Sequence, residues 1–553
     1  MPVSWSTSYL LRWPFGISMV TSMVMWIAPL VWCRAVRRRG RLQWFHLSRC
    51  RCPSLGRSPV SRTVGWMLSV AAFAVVVCVI VVAGLAANAN RVTVADAPQV
   101  PGVQSPLRPA GSVQGLDDGS SAAPSADESE LRAQVAAVMD GAAKDPALGE
   151  LTAVVSSART GATLWEQGAG APSRPASSLK ILTAAAALLQ LDHDKTVVTR
   201  VVRYPGRDGV VLVGAGDPTL SVDGKGFYPG SASIAEIAEE VRATLAVPEG
   251  QAAPTVHVDR SLFRDTFHST WDRSGIQDGY IAPVEPVMVD GARLSLDRED
   301  ARRTPEPAAG AGQALASALG AGKVDVLAPE ESAQSKFGAG EDGVAAEPQV
   351  LAEVESAPLS ERVRQMMTQS DNVLAESLAR EVAMDRGLAP DFAGAAKAVR
   401  DTLAEHGLGL EDSGASAANL ADSSGLSVDN RVTPAQLDRV LLAAAGGQTV
   451  GSEDTDGSED IDGPGVAATL RPLLDSMPVG GVSGTLAGRY GDSGGAGWVR
   501  AKTGTLDGTS ALAGYTVTEG GDVLTFVMLS NEASLLPARA AADAAAAKLH
   551  AIA

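Results

Sequence analysis

The longest uninterrupted apolar run lies near the start of the chain. Residues 64–87 read VGWMLSVAAFAVVVCVIVVAGLAA without a single charge, and about 24 such residues is the length that crosses a bilayer core. This is a membrane anchor or an export signal, with Ala-Asn-Ala at 87–89 as a candidate cleavage site. An earlier apolar stretch, 13–33, is broken by Pro14 and Pro29. It reads either as a first span or as a segment upstream of the true start. From 88 to 126 the chain is rich in Pro, Ala, Gly, Ser and Val and follows neither helical nor strand period, the pattern of a disordered linker.

Periodicity returns at 127–140, where Leu131, Val135 and Val138 recur at helical spacing. Next, LTAVVSSA and ATLWEQGA flank a turn at Arg159-Thr160-Gly161 and predict a β-hairpin. APSRPASSLKILTAAAALLQL then predicts a long apolar helix. Near the other end, GWVRAKTGTL, SALAGYTVT and VLTFVMLS predict strands, with a turn at Glu519-Gly520-Gly521, and an Ala-rich helix follows from about 535. Strands from both ends bracket a helical middle, which predicts one sheet assembled from the two termini with helices packed on it. Acidic, Gly-rich segments at 337–347 and 450–464 read as solvated loops.

Charge adds an orientation. The first 62 residues hold ten of the chain's 46 basic side chains and no acid, which leaves 36 basic against 63 acidic residues beyond them. Arg49, Arg51, Arg57 and Arg62 crowd the near side of the apolar run, so 1–63 is expected in the cytoplasm and the body outside the cell membrane, in a single- or double-pass arrangement. An acidic body repels phosphates, so nucleic acid is not an expected partner. Cys33, Cys50, Cys52 and Cys78 all precede the body, which therefore has no disulfide, thiolate metal site or cysteine nucleophile. The six histidines form no H-E-x-x-H or similar cluster, and neither a metal nor an organic cofactor is expected.

Lysine is scarce, nine against 37 arginines, so each one invites a question. Lys180 follows Ser177 by three residues at the start of the apolar helix, on the same face. Ala176, Leu179, Ile181 and Leu182 surround it, and poor solvation lowers an amine's pKa and suits it to take a proton from a hydroxyl. The plainer account is a capping serine followed by a snorkelling surface lysine. Ser370-Asp371-Asn372 stands where another helix begins and, alone, reads as a cap. Lys502-Thr503-Gly504 lies in a strand-like run; alone it reads as a strand edge with an exposed lysine.

Together, S-x-x-K, S-D-N and K-T-G in this order form the signature of penicillin-binding proteins and class A β-lactamases. Ser177 and Ser370 stand 193 positions apart. That gap resembles the peptidase S13 family of D-alanyl-D-alanine carboxypeptidases, the low-molecular-weight class C penicillin-binding proteins, in which extra domains separate the first two motifs. ARTGATLWEQ, PASSLKILTAAAAL, VLVGAGDPTL, DSSGLSVDNRVTP, the GTLAGR run and AKTGTLDGTSALAGY are similar to that family's phrases, so the likeness covers about 130–553. Ser423 stands where the family more often has glycine.

The resemblance implies an α/β (α+β) fold of the penicillin-binding, β-lactamase-like transpeptidase type: an antiparallel sheet from both termini, a helical subdomain and a β-rich insertion between the first two motifs. The catalytic domain would comprise 127–200 and 350–553, and the insertion 201–349. It further implies that Ser177 is acylated, Lys180 is its base, Ser370 relays a proton and Asn372 holds the substrate amide. Lys502, Thr503, Gly504 and Thr505 would receive the terminal carboxylate, and backbone N–H groups of Ser177 and Thr505 the oxyanion. Peptidoglycan stem peptides ending in D-Ala-D-Ala would be substrates, β-lactams covalent inhibitors, and trimming or cross-link cleavage are both open. A β-lactamase would need a deacylating glutamate in an E-x-x-x-N loop; Glu405 is the best placed, but Gly409 stands where the Asn belongs. A non-catalytic wall sensor is the other competitor, and the intact nucleophile, base and relay argue against it. Oligomeric state is not legible.

Overall fold

The computed structural model describes residues 126–245, 254–338, 346–410, 418–446, 465–491 and 493–553. The apolar stretches 13–33 and 64–87, the linker, all four cysteines and most of the acidic loops lie outside the described residues. Among the described residues no helix is long and apolar enough to cross a membrane.

The described chain opens with helix α1 (Ala126–Ala142), whose buried stripe is Leu131, Val135 and Met139, with Val138 half-buried beside it. A hairpin of β1 (Glu150–Ser157) and β2 (Thr163–Gln167) follows, then α2 (Lys180–Gln190). Next come β3 (Val198–Arg203), β4 (Val210–Val213), β5 (Asp217–Leu220), α3 (Ile234–Leu245), β6 (Val256–Asp259), β7 (Val287–Val289), α4 (Pro307–Leu319), β8 (Val324–Val326) and β9 (Gln349–Glu355). Helices α5 (Leu359–Gln369), α6 (Asn372–Asp385), α7 (Phe392–Glu405), α8 (Pro434–Ala445) and α9 (Val466–Asp475) then run together. The chain closes with β10 (Arg500–Leu506), β11 (Thr509–Val517), β12 (Val523–Asn531) and α10 (Leu535–His550).

The first sheet has the order β10-β11-β12-β1-β2, antiparallel throughout, so the expected union of the two ends occurs in a single ladder. Val154 faces Val527 across the join. Side chains alternate along each strand, and both faces are covered. Ala153, Val155, Leu512, Phe526 and Met528 pack with α1 and α10 on one side. Val154, Ala511, Ala513, Val527 and Leu529 pack with α2 and the helical middle on the other. This burial on two sides explains why the strands read as near-continuous apolar runs.

The second sheet, β8-β6-β4-β3-β9, is mixed. Parallel pairs need a crossover, and here α3 connects β4 to β6 and α4 connects β6 to β8. Strands β5 and β7 form a parallel pair of their own. The segment 274–304 contains β7 and reaches the start of α6, where Arg293 meets Asp371.

Candidate active site

Ser177 is the second residue of a tight 3-10 turn, Ala176–Leu179, that runs straight into α2. Ala176 has φ +47°, a left-handed conformation that is costly for a residue with a Cβ. Two glycines close on this turn. A Cβ on Gly425 would lie 1.9 Å from the Ala176 carbonyl oxygen, and one on Gly504 would lie 2.7 Å from that of Pro175. The Gly of K-T-G thus lets β10 approach the serine turn at backbone distance.

Lys180 is fully buried. Its Nζ lies 2.6 Å from Asn372 Oδ1, 2.7 Å from the Ser424 carbonyl oxygen and 3.1 Å from Ser177 Oγ. The first two partners can only accept, whereas a hydroxyl can also donate. A neutral amine at this point spends its two N–H groups on Asn372 and Ser424 and leaves its lone pair for the Ser177 proton. Burial, the largest influence, brings Lys180 down to about 8, while Asp422, Asp371 and Glu376 pull the other way.

The S-D-N triplet is the hinge between α5 and α6. Ser370 terminates α5 in the left-handed region at φ +57°, and Asp371 caps α6, its Oδ1 accepting from Leu374 N at 3.0 Å. Asn372 is the first residue of α6; its Oδ1 belongs to Lys180, and one Nδ2 hydrogen goes to the Tyr280 carbonyl at 2.9 Å. The amide expected to hold substrate therefore also orients the base, with one N–H remaining.

Lys502 is as buried as Lys180, so the reading as an exposed edge lysine is wrong. Its Nζ donates to Ser370 Oγ and to the Thr503 carbonyl oxygen, each at 2.8 Å. Burial first, then the nearby Lys180, pushes the Lys502 ammonium well below its ordinary range. Thr503 Oγ1 lies 2.9 Å from Thr485 Oγ1 in the GTLAGR run. Thr505 is exposed, and Arg539 Nη2 lies 3.4 Å from its hydroxyl.

A further layer carried no motif. Glu376, one turn along α6 from Asn372, accepts from the Ser423 and Ser424 N–H groups at 3.0 and 2.8 Å, holding the loop whose Ser424 carbonyl meets Lys180. Burial first, then Asp422, pushes Glu376 up to about 7. Thr183 Oγ1 donates to the Ser423 carbonyl at 2.6 Å, while Ser423 Oγ is buried without a partner, which is the cost of a serine in place of the family's glycine. Asp422 accepts from Trp271 Nε1 at 2.8 Å and from the Gly425 and Ser427 N–H groups. Glu376 looks from sequence like an acid on a solvated helix face; only its spacing of four from Asn372 hinted otherwise. Glu405, the candidate deacylating base, sits at the end of α7 with a largely exposed side chain bound to Arg386. Among the described residues no group of His, Cys, Asp or Glu is placed to hold a metal ion.

Residues 134–309 and 298–551 match the family described as D-Ala-D-Ala carboxypeptidase 3 (S13). Carboxypeptidase DacB of Mycolicibacterium smegmatis is 44% identical over 427 residues, 76% of this chain and 84% of that protein. A D-alanyl-D-alanine carboxypeptidase of Actinomadura is 30% identical over 499 residues, again covering 76% of this chain and 84% of its own length. Penicillin-binding protein 4 of Haemophilus influenzae has the same fold, with a TM-score of 0.55 at 20% identity over 74% of this chain and 98% of that one. A second structure of that protein, complexed with a β-lactam, aligns with a TM-score of 0.52. With its motif set, its sheet from both termini and these relatives, the chain belongs to the S13 family of serine-type D-Ala-D-Ala carboxypeptidases.

Proposed function

We propose that this enzyme trims peptidoglycan stem peptides ending in D-Ala-D-Ala, outside the cytoplasmic membrane, through an acyl-enzyme at Ser177. The observation that carries the reading is the position of Lys180 Nζ, buried between Ser177 Oγ, Asn372 Oδ1 and the Ser424 carbonyl. Ser177 Oγ attacks the carbonyl carbon of the penultimate D-Ala, and its proton passes to Lys180 Nζ. Backbone N–H groups of Ser177 and Thr505 face the oxyanion, a device worth about 2.7–4 kcal/mol per donor. As the C–N bond breaks, the Ser370 hydroxyl gives its proton to the leaving nitrogen, and the proton that Lys180 took from Ser177 passes on to the Ser370 oxygen, which leaves Lys180 neutral for the second step. Water then cleaves the ester, returns a proton to Ser177 and releases the shortened peptide.

Lys502 with Thr503, Gly504 and Thr505 receives the terminal carboxylate. Among the described residues Lys502 forms no ion pair, although Glu299 is near enough to favour its charged form, and the arriving anion adds a counter-charge in the same direction. β-Lactams acylate the same serine and act as covalent inhibitors. Residues 64–87 anchor the body on the wall side of the membrane; the arginine asymmetry across that run supports this placement.

The test is to incubate the purified protein with pentapeptide and cross-linked muropeptides and weigh the products. Loss of one alanine from the pentapeptide supports trimming, and separation of cross-linked dimers adds endopeptidase action. No change in either, with stable acylation by penicillin, would identify a sensor; turnover of penicillin alone would identify a β-lactamase.

A further inference from the structure

The middle acid of S-D-N has no part in the chemistry above, yet its carboxylate accepts four hydrogen bonds. Asp371 Oδ2 receives Arg293 Nη2 at 2.7 Å, the Tyr228 hydroxyl at 2.8 Å and Arg303 Nη2 at 3.4 Å. Arg293 Nη1 also donates to the Tyr228 oxygen at 2.8 Å, and its guanidinium lies 3.6 Å from the centre of the Phe227 ring. All three donors come from the stretch between the first two motifs, 65 to 143 positions from their partners. Their side chains are shut off from water. Burial alone would push the Asp371 carboxyl up, but Arg303 and Arg293 outweigh it and hold it well below the usual carboxylate range.

The backbone that delivers Arg293 is strained. Asp290, Gly291 and Ala292 are consecutive left-handed residues with φ +50°, +59° and +68°, and non-glycine residues adopt that region only where the surroundings impose it. Arg303 ties the same segment together, with Nε on the Gly279 carbonyl at 2.8 Å and Nη1 on the Gly291 carbonyl at 2.6 Å. Gly279 precedes Tyr280, whose carbonyl accepts from Asn372 Nδ2. One segment therefore grips both Asp371 and Asn372, on either side of the bond that starts α6, and directly after a serine held at φ +57°.

We infer that Arg293, Arg303 and Tyr228 are positioning residues that fix the left-handed Ser370, through Asp371, with its hydroxyl on Lys502 and toward the leaving nitrogen. Two buried cations on one carboxylate are poor sources of net stability, because desolvation offsets their attraction. What they supply is geometry. Displacing a proton-transferring group by about 1 Å can cost on the order of 100-fold. The segment 274–304 is thus part of the proton-delivery apparatus, although it lies outside all three motifs.

This inference rests on the reading of Ser370 as the proton relay, and the experiment separates the two. Tyr228→Phe removes one donor to Asp371 and keeps the ring; Arg293→Lys keeps the charge and loses the paired contacts. Arg293→Ala strips a buried counter-charge and is expected to fold poorly, so it is not the deciding variant. Each full-length variant is assayed on a D-Ala-D-Ala peptide and on the matching thiolester, whose thiolate leaving group needs no proton, alongside its thermal midpoint. Both variants are expected to lose about 10-fold to 100-fold in kcat on the peptide, with KM little changed and the thiolester rate nearly intact. Equal losses on both substrates, or no loss on either, would overturn the inference. Ser370→Ala is the reference: selective loss there but not in Tyr228→Phe overturns the positioning role alone, and equal loss there overturns the relay and the positioning role together.

Discussion

Replacing Lys180 by arginine keeps the positive charge and removes the base. In the native site burial brings the amine down to about 8 against Asp422, Asp371 and Glu376. At pH 7 about one enzyme molecule in ten therefore holds a free amine, against about one in 2,500 for a lysine with its ordinary pKa of about 10.4. Burial thus raises the supply of base by about 250-fold. A guanidinium with a pKa above about 12 leaves fewer than about one molecule in 100,000 deprotonated. Arginine can still donate to Asn372 Oδ1 and the Ser424 carbonyl, but it has no lone pair for Ser177. Acylation by a fluorescent penicillin should fall by about 10²–10⁴, the usual worth of a general base. The pH profile gives an independent sign. Neutral Lys180 is the active form, so the wild-type rate should rise with pH through about 8 and then level, while the variant stays low and flat. A Lys180→Arg protein that acylates within about threefold of wild type, or a wild-type rate that falls across this range, would refute the assignment.

Lys502→Arg should weaken acylation but leave it measurable, because arginine remains a cation at the carboxylate site; equal loss in both lysine variants would mean the base is misassigned. Glu376→Gln keeps an oxygen for the Ser423 and Ser424 N–H groups but removes a negative charge that raises Lys180, so the alkaline rise should move to lower pH, and an unmoved profile would count against the coupling. Gly425→Ala puts a methyl 1.9 Å from the Ala176 carbonyl at a residue with φ +84°; thermal stability should drop by roughly 1–3 kcal/mol and acylation with it, and an unchanged melting midpoint would contradict the close approach. For the proposed topology, protease added to wall-stripped cells should digest the body and spare a fragment with 64–87, and a body protected until lysis would reverse the orientation.

The catalytic frame was legible because two signals converged. Short strand-like runs bounded by turn residues at both ends of the chain mark β1, β2, β10, β11 and β12, and the three motifs fall on a helix start, a helix junction and a late strand. The insertion resisted for physical reasons. Strands β4, β6 and β8 are three or four residues long, too short for a period to stand out from an Ala- and Gly-rich background. Arg293 and Arg303 look like any of 37 arginines, and only the tertiary fold withdraws them from water and sets them on Asp371. Taken alone, Lys502 reads as an exposed edge lysine for the same reason, and only the motif set assigns it to the site: strand alternation says which side a residue faces, not what covers it. Trp271 and Asp422 meet across 151 positions, a pairing without any local trace.

The account stands most directly on the identity of the acylated residue. Full-length protein treated with penicillin should gain the mass of one drug molecule, and digestion should place it on the peptide containing Ser177, with no label in Ser177→Ala. Stoichiometric label on any other peptide, or undiminished labelling of Ser177→Ala, would contradict it.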